Sequence, residues 1–191
     1  MAVLYMYTCK GYRLLHQNVK VKMSSKARRV LARKEHREYG RKLVVVDIEN
    51  VIGGAAINKL DVAAAKRRLL AAISIGEYDQ IVIGTSHVGL MPVGCVWPGL
   101  RYVIRSGRNG ADLALLDVLD EDIARRFRYV VVVSGDGIFT DAVAALGREG
   151  VAVTVVGTRS SMSRRLVLAA SHVIYLDDDT STPDLQAKEA A

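Results

Sequence analysis

Asp47, Asp112 and Asp136 are the residues of this chain best placed to do chemistry, because each sits where an apolar run gives way to a turn or a helix start. In an open parallel sheet such points lie along one edge, so carboxylates far apart in sequence meet in a single crevice. Two carboxylates about 4 Å apart repel by roughly 4 kcal/mol at an effective dielectric near 20. A trio of them calls for a divalent cation or a shared proton. The donors are oxygens throughout, with no His or Cys among them, which favours a hard ion such as magnesium, held by a few carboxylates and waters, over zinc.

Three short segments carry these acids. The first is Asp47-Ile48-Glu49-Asn50, where strand alternation sets Asp47 and Glu49 on the same side as the chain leaves the sheet. The second runs from Asn109 through Gly110 and Asp112 to Asp117; its glycine allows a free turn, and a carboxylate in the first helical turn suits the helix dipole. The third is Val133-Ser134-Gly135-Asp136-Gly137-Ile138-Phe139, with Asp141 one helical turn later. An aspartate before a helix is most often only an N-cap, so each segment alone is weak and their conjunction carries the weight. Ser134 lacks a nucleophile-elbow pattern and a histidine base, which leaves its hydroxyl to orient backbone or Asp136.

The elements that must position these acids follow from periodicity. Strand-sized apolar runs at residues 43–48, 80–84, 101–104, 129–133, 151–156 and 172–175 alternate with helical patterns at 62–73, 112–127, 141–147 and 163–170. That alternation predicts an α/β fold built of strand-helix-strand units around a parallel sheet. The acidic run Asp120, Glu121, Asp122 is a candidate break in the second helix. Residues 87–99 contain Pro92, Pro98 and three glycines, and read as an irregular crossover.

The order D-x-E-N, then G-A-D-x-x-L-x-x-D, then S-G-D-G-x-F resembles the NYN branch of the PIN-like nuclease superfamily, over residues 43–176. The resemblance implies a three-layer Rossmann-like domain with a mostly parallel sheet flanked by helices. It also implies a ribonuclease dependent on Mg2+ or Mn2+, with Asp47, Asp112 and Asp136 on the metal, Asn50 positioning water or phosphate, and Asp117 as a supporting acid. In one respect the chain departs from the family pattern. Where members often carry a second acid two residues beyond the match to Asp136, this chain has Ile138. Asp141 and Glu49 are the candidates to make up for it, and the sequence does not rank them.

Charge points to a polyanionic partner. Residues 20–42 hold ten Lys or Arg against Glu35 and Glu38, a local balance of +8; with Lys10 and Arg13 ahead of them, residues 43–191 are left with −3 of the total +7. The basicity belongs to an N-terminal arm, residues 1–42, in which Arg28, Arg29, Arg33, Lys34, Arg37 and Arg41 are candidate RNA contacts through counterion release. Tyr39 could stack on a base. Arg105 and Arg108, between the third strand and Asp112, are placed to meet a phosphate entering the crevice, and Arg164 and Arg165 extend the same track. The expected partner is RNA, single-stranded or structured, with a homo-oligomer left open. Residues 177–191 form an acidic tail whose composition predicts flexibility.

Other classes fit less well. No apolar run approaches the roughly 18 residues of a membrane span, and two cysteines, Cys9 and Cys95, without zinc spacing suit a reducing cytoplasm. The chain has neither a Gly-x-Gly-x-x-Gly turn after its first strand nor a Walker sequence. A haloacid-dehalogenase-like phosphohydrolase would use Asp47 as nucleophile and Asp136 through Asp141 as its late magnesium motif. Against it stand Glu49, where that family has a second Asp, and the lack of a lysine motif before Gly135. A catalytically weakened RNA-binding or regulatory module is the remaining alternative, with Ile138 as its sequence hint. His87 reads as a structural histidine.

Overall fold

A computed structural model describes residues 40–54 and 58–177. Six strands form one sheet: β1 (Lys42–Asp47), β2 (Gln80–Thr85), β3 (Arg101–Ile104), β4 (Tyr129–Val133), β5 (Ala152–Gly157) and β6 (His172–Tyr175). Their spatial order is β3-β2-β1-β4-β5-β6 and every adjacent pair is parallel. Parallel strands are covered on both faces, which explains why β1 and β4 are continuous Val-rich runs without polar alternation. The order reverses at β1 and β4, the point where crossovers leave in opposite directions and open a crevice at the carboxyl edge.

Seven α-helices of the described residues fill the crossovers: α1 (Ile48–Ile52), α2 (Lys59–Ala72), α3 (His87–Val96), α4 (Gly110–Leu119), α5 (Ile123–Arg126), α6 (Thr140–Arg148) and α7 (Arg164–Ala169). Odd positions of β1, Leu43 and Val45, share a buried cluster with Val130 and Val132 of β4, Leu115 of α4 and Val143 of α6. Even positions, Val44 and Val46, pack with Val62 and Leu69 of α2 and Val93 of α3. The result is helix, sheet, helix: the parallel sheet expected from the alternation, in the three-layer Rossmann-like architecture that the resemblance implied.

One element differs from expectation. Residues 87–96 form helix α3 with Pro92 inside it. Pro92 cannot bond the carbonyl of Val88, but Val88 is 72% exposed and water can take that place, while Gly89 and Val93 bury the opposite face. The helix expected over 112–127 breaks within the acidic run that is its candidate break: it forms α4 and α5, parted at Asp122, whose φ of 51° is left-handed. Its short polar side chain tolerates that conformation better than most.

Candidate functional site

Asp47, Thr85 and Ser134 are the buried polar side chains among the described residues, and all three lie at the carboxyl ends of neighbouring strands β1, β2 and β4. Burial of polar groups costs free energy unless they are partnered. Asp47 has its partners. It ends β1 and caps α1, its Oδ1 accepting from the Asn50 amide at 3.2 Å and its Oδ2 from the Ser134 hydroxyl at 3.0 Å. Ser134 in turn accepts from the Asp136 amide at 3.2 Å, so one hydroxyl ties the end of β1 to the turn after β4.

Asp112 reaches Asp47 from the first turn of α4. That helix can start hard against the segment leaving β3 because residue 110 is glycine; a Cβ there would lie 2.3 Å from the Arg105 carbonyl oxygen. Burial, and then the neighbouring Asp112 carboxylate, push the pKa of Asp47 from 3.8 up to about 7. Asp112 is also raised, by burial first and then by the charges of Asp136 and Glu49, while its hydrogen bond with Asp47 works the other way. Of the two, Asp47 is the acid whose ionisation burial opposes more strongly.

The remaining acids stand further back. Asp136 caps the 3-10 turn Gly137–Phe139, its Oδ1 accepting from the Ile138 amide at 2.9 Å. Glu49 does not follow strand alternation, because the chain turns into α1 at Ile48; its Oε1 accepts from the Ser86 amide at 2.8 Å. Asp117 is exposed and 3.8 Å from Arg105 in an ion pair that solvent screens to little. Asp141 lies exposed in the first turn of α6. Ile138, where an acid was expected, packs half-buried against the core. Among the described residues, no group of three or more His, Cys, Asp and Glu side chains is arranged to hold a metal ion. Asp112 is close enough to Asp47 to raise its pKa, and the charges of Asp136 and Glu49 raise Asp112 in turn.

Asn50 holds the turn rather than facing free into the crevice, its Oδ1 accepting from the buried Gly135 amide at 2.9 Å. Gly135 is forced by the same crowding, since a Cβ would come 2.4 Å from the Ser161 carbonyl oxygen. Replacing Asn50 by Ala leaves that amide unpaired, and we expect a loss of about 1–3 kcal/mol in urea unfolding. An unchanged midpoint would show that the bond carries no weight.

These positions coincide with a recognised domain: the NYN domain family matches residues 41–177. The chain belongs to the NYN family. With it comes membership of the PIN-like nuclease superfamily, and the parallel sheet of this NYN domain has the corresponding topology. A crystal structure of a protein of unknown function from Vibrio parahaemolyticus is similar at 20% identity and a TM-score of 0.49, covering 73% of this chain and 94% of that one. No curated protein matches.

Around the crevice, Arg105 and Arg108 are exposed in the loop that leads from β3 to Asp112. His87 shares this edge, its Nδ1 2.8 Å from the Ser106 hydroxyl. On the other flank the Ser163 amide donates to the Gly135 carbonyl at 2.8 Å, which sets exposed Arg164 and Arg165 beside the Asp136 turn. Arg28, Arg29, Arg33, Lys34, Arg37 and Tyr39 lie outside the described residues, as do positions 178–191. Arg41 is described and lies at the opposite edge, with its Nε donating to the Tyr78 carbonyl at 3.2 Å. Among the described residues no helix is long and apolar enough to cross a membrane.

Proposed function

We propose that this NYN domain is a ribonuclease that hydrolyses RNA phosphodiester bonds with Mg2+ or Mn2+ at the Asp47–Asp112 pair. The observation that carries the reading is buried Asp47 at the switch point of the sheet, raised to about 7 by burial and by the neighbouring Asp112 carboxylate. Such a pair is costly to ionise alone, and a divalent charge is what would allow both to ionise together.

The donor set fits a magnesium-like ion, which commonly uses one or two protein carboxylates and takes its other ligands from water and substrate phosphate. When bound, such an ion would activate water and neutralise charge growing on the attacked phosphate. Asp47 and Asp112 would hold it. Asp136 would join by turning its carboxylate from the Ile138 amide, and Glu49, Asp117 and Asp141 would add negative field around the crevice. Asn50 and Ser134 keep Asp136 and Asp47 in register. Arg105 and Arg108 would draw the phosphate backbone in, with Arg28, Arg29, Arg33, Lys34, Arg37 and Arg41 adding affinity from the arm.

Purified protein should cut a labelled single-stranded RNA with Mg2+ or Mn2+, stop when EDTA is in excess, and resume when the ion is restored. Equal cutting with EDTA present would sink the mechanism. A second reading, an RNA-binding module without turnover, draws on Ile138 packing into the core where an acid would face the crevice.

A further inference from the structure

A cavity of about 460 Å³ opens at the edge of the sheet opposite the acids, and four arginines line it: Arg41, Arg125, Arg126 and Arg128. Gly40 and Arg41 immediately precede β1, and Phe127 and Arg128 immediately precede β4; the pairing of Lys42 with Tyr129 brings these two segments together. A strand of this length rises about 3.3 Å per residue, so the cavity lies roughly 20 Å from Asp47. It is a separate place on the molecule.

The cavity is built rather than incidental. The guanidinium carbons of Arg41 and Arg126 stand 5.1 and 5.2 Å from the ring centre of buried Phe127, so one ring orients two cations. None of the residues lining the cavity is acidic. Arg125 has only an exposed pair with Asp122 at 3.6 Å, Arg126 pairs with Glu121 at 3.7 Å, and Arg128 makes no ion pair among the described residues.

We infer that the arginine cavity is a second RNA-binding site, taking the phosphate backbone of a single strand, apart from the acidic crevice. A planar guanidinium suits phosphate, and Arg41 and Arg126 arrive already oriented by their ring contacts. This goes beyond the proposed cleavage and does not depend on it, because an RNA held here needs no metal and no cut.

The test is fluorescence anisotropy with a labelled single-stranded RNA of about twenty nucleotides, in EDTA, over a series of salt concentrations. Arg125→Glu with Arg128→Glu should weaken binding about tenfold or more and lower the log-log salt slope by about 1.4, at 0.7 per single-strand phosphate contact. Arg125→Lys with Arg128→Lys, which keeps the charge, should stay near the parent slope and guards against a folding artefact. Unchanged affinity and slope in the Glu pair would overturn the inference. So would an acidic peptide that binds the parent more tightly than RNA and is lost in the same variant. Neither outcome bears on cleavage, which EDTA has removed from the measurement.

Discussion

Asp47→Asn should make the metal-free protein more stable at pH 8 while removing its cutting activity. Burial and Asp112 lift Asp47 from 3.8 to about 7, so between those values the native state binds a proton that the unfolded chain releases. Stability from this group is therefore greatest below about pH 4, falls as pH rises, and has been lost fully above about 7. At 1.36 kcal/mol per pH unit the gap corresponds to roughly 4 kcal/mol. An asparagine is spared that loss: its carbonyl oxygen can still accept from Asn50 or Ser134, and its amide can donate to Asp112. Thermal melts in EDTA from pH 4 to 8 should converge at the acid end and separate by several degrees at the alkaline end. Mg2+ at pH 8 should restore the parent and leave the variant unmoved, since only a ligand bound to the native state stabilises it. Parallel melts across the whole range would show that Asp47 is not a strained acid.

Asp136→Asn separates a nuclease from a binding module. Asparagine keeps the side-chain oxygen that accepts from the Ile138 amide, so the 3-10 turn is retained and only a charge is removed. Single-turnover cleavage of RNA should drop on the order of a hundredfold or more, the scale of losing one electrostatic contact to a transition state. RNA affinity should hold or rise slightly, because one carboxylate no longer repels phosphate. A parent protein that binds RNA with the same affinity and never cuts it, with any divalent ion, would favour the module without turnover.

The central strands were legible because burial on both faces demands continuous β-branched runs, as at residues 129–133, which coincide with β4; the half-exposed edge runs 101–104 and 172–175 coincide with β3 and β6. Less visible was the end of β1. Ile48 reads as another strand residue, but the Asp47 side chain caps the backbone there and starts α1. For α3, Pro92 and the glycines suggested a loop; burial of Gly89 and Val93 on one side outweighed them. The acids were legible as aspartates at a strand end, Asp47, and a helix start, Asp112, and Asp47 and Asp136 turn out to be helix caps as well, so capping and chemistry are not rival explanations. The Ser86–Glu49 bond and the arginine cavity carried no local signal. Arg41 and Arg125–Arg128 are remote in sequence, and only the register of β1 with β4 makes them neighbours.

The strand order also sets a timetable for the emerging chain. β1 pairs with β2 through Leu43 and Gln80, soon after both have been synthesised, but its other side waits for Tyr129–Val133. Until then the Val44–Val46 stretch offers unsatisfied backbone to any passing strand, the situation in which β-rich intermediates aggregate. Ser134, Gly135 and Asp136 arrive with that same late segment. A chain released before it would have neither a closed sheet nor a finished crevice, so the step that protects β1 from self-association is also the one that completes the acid-bearing edge.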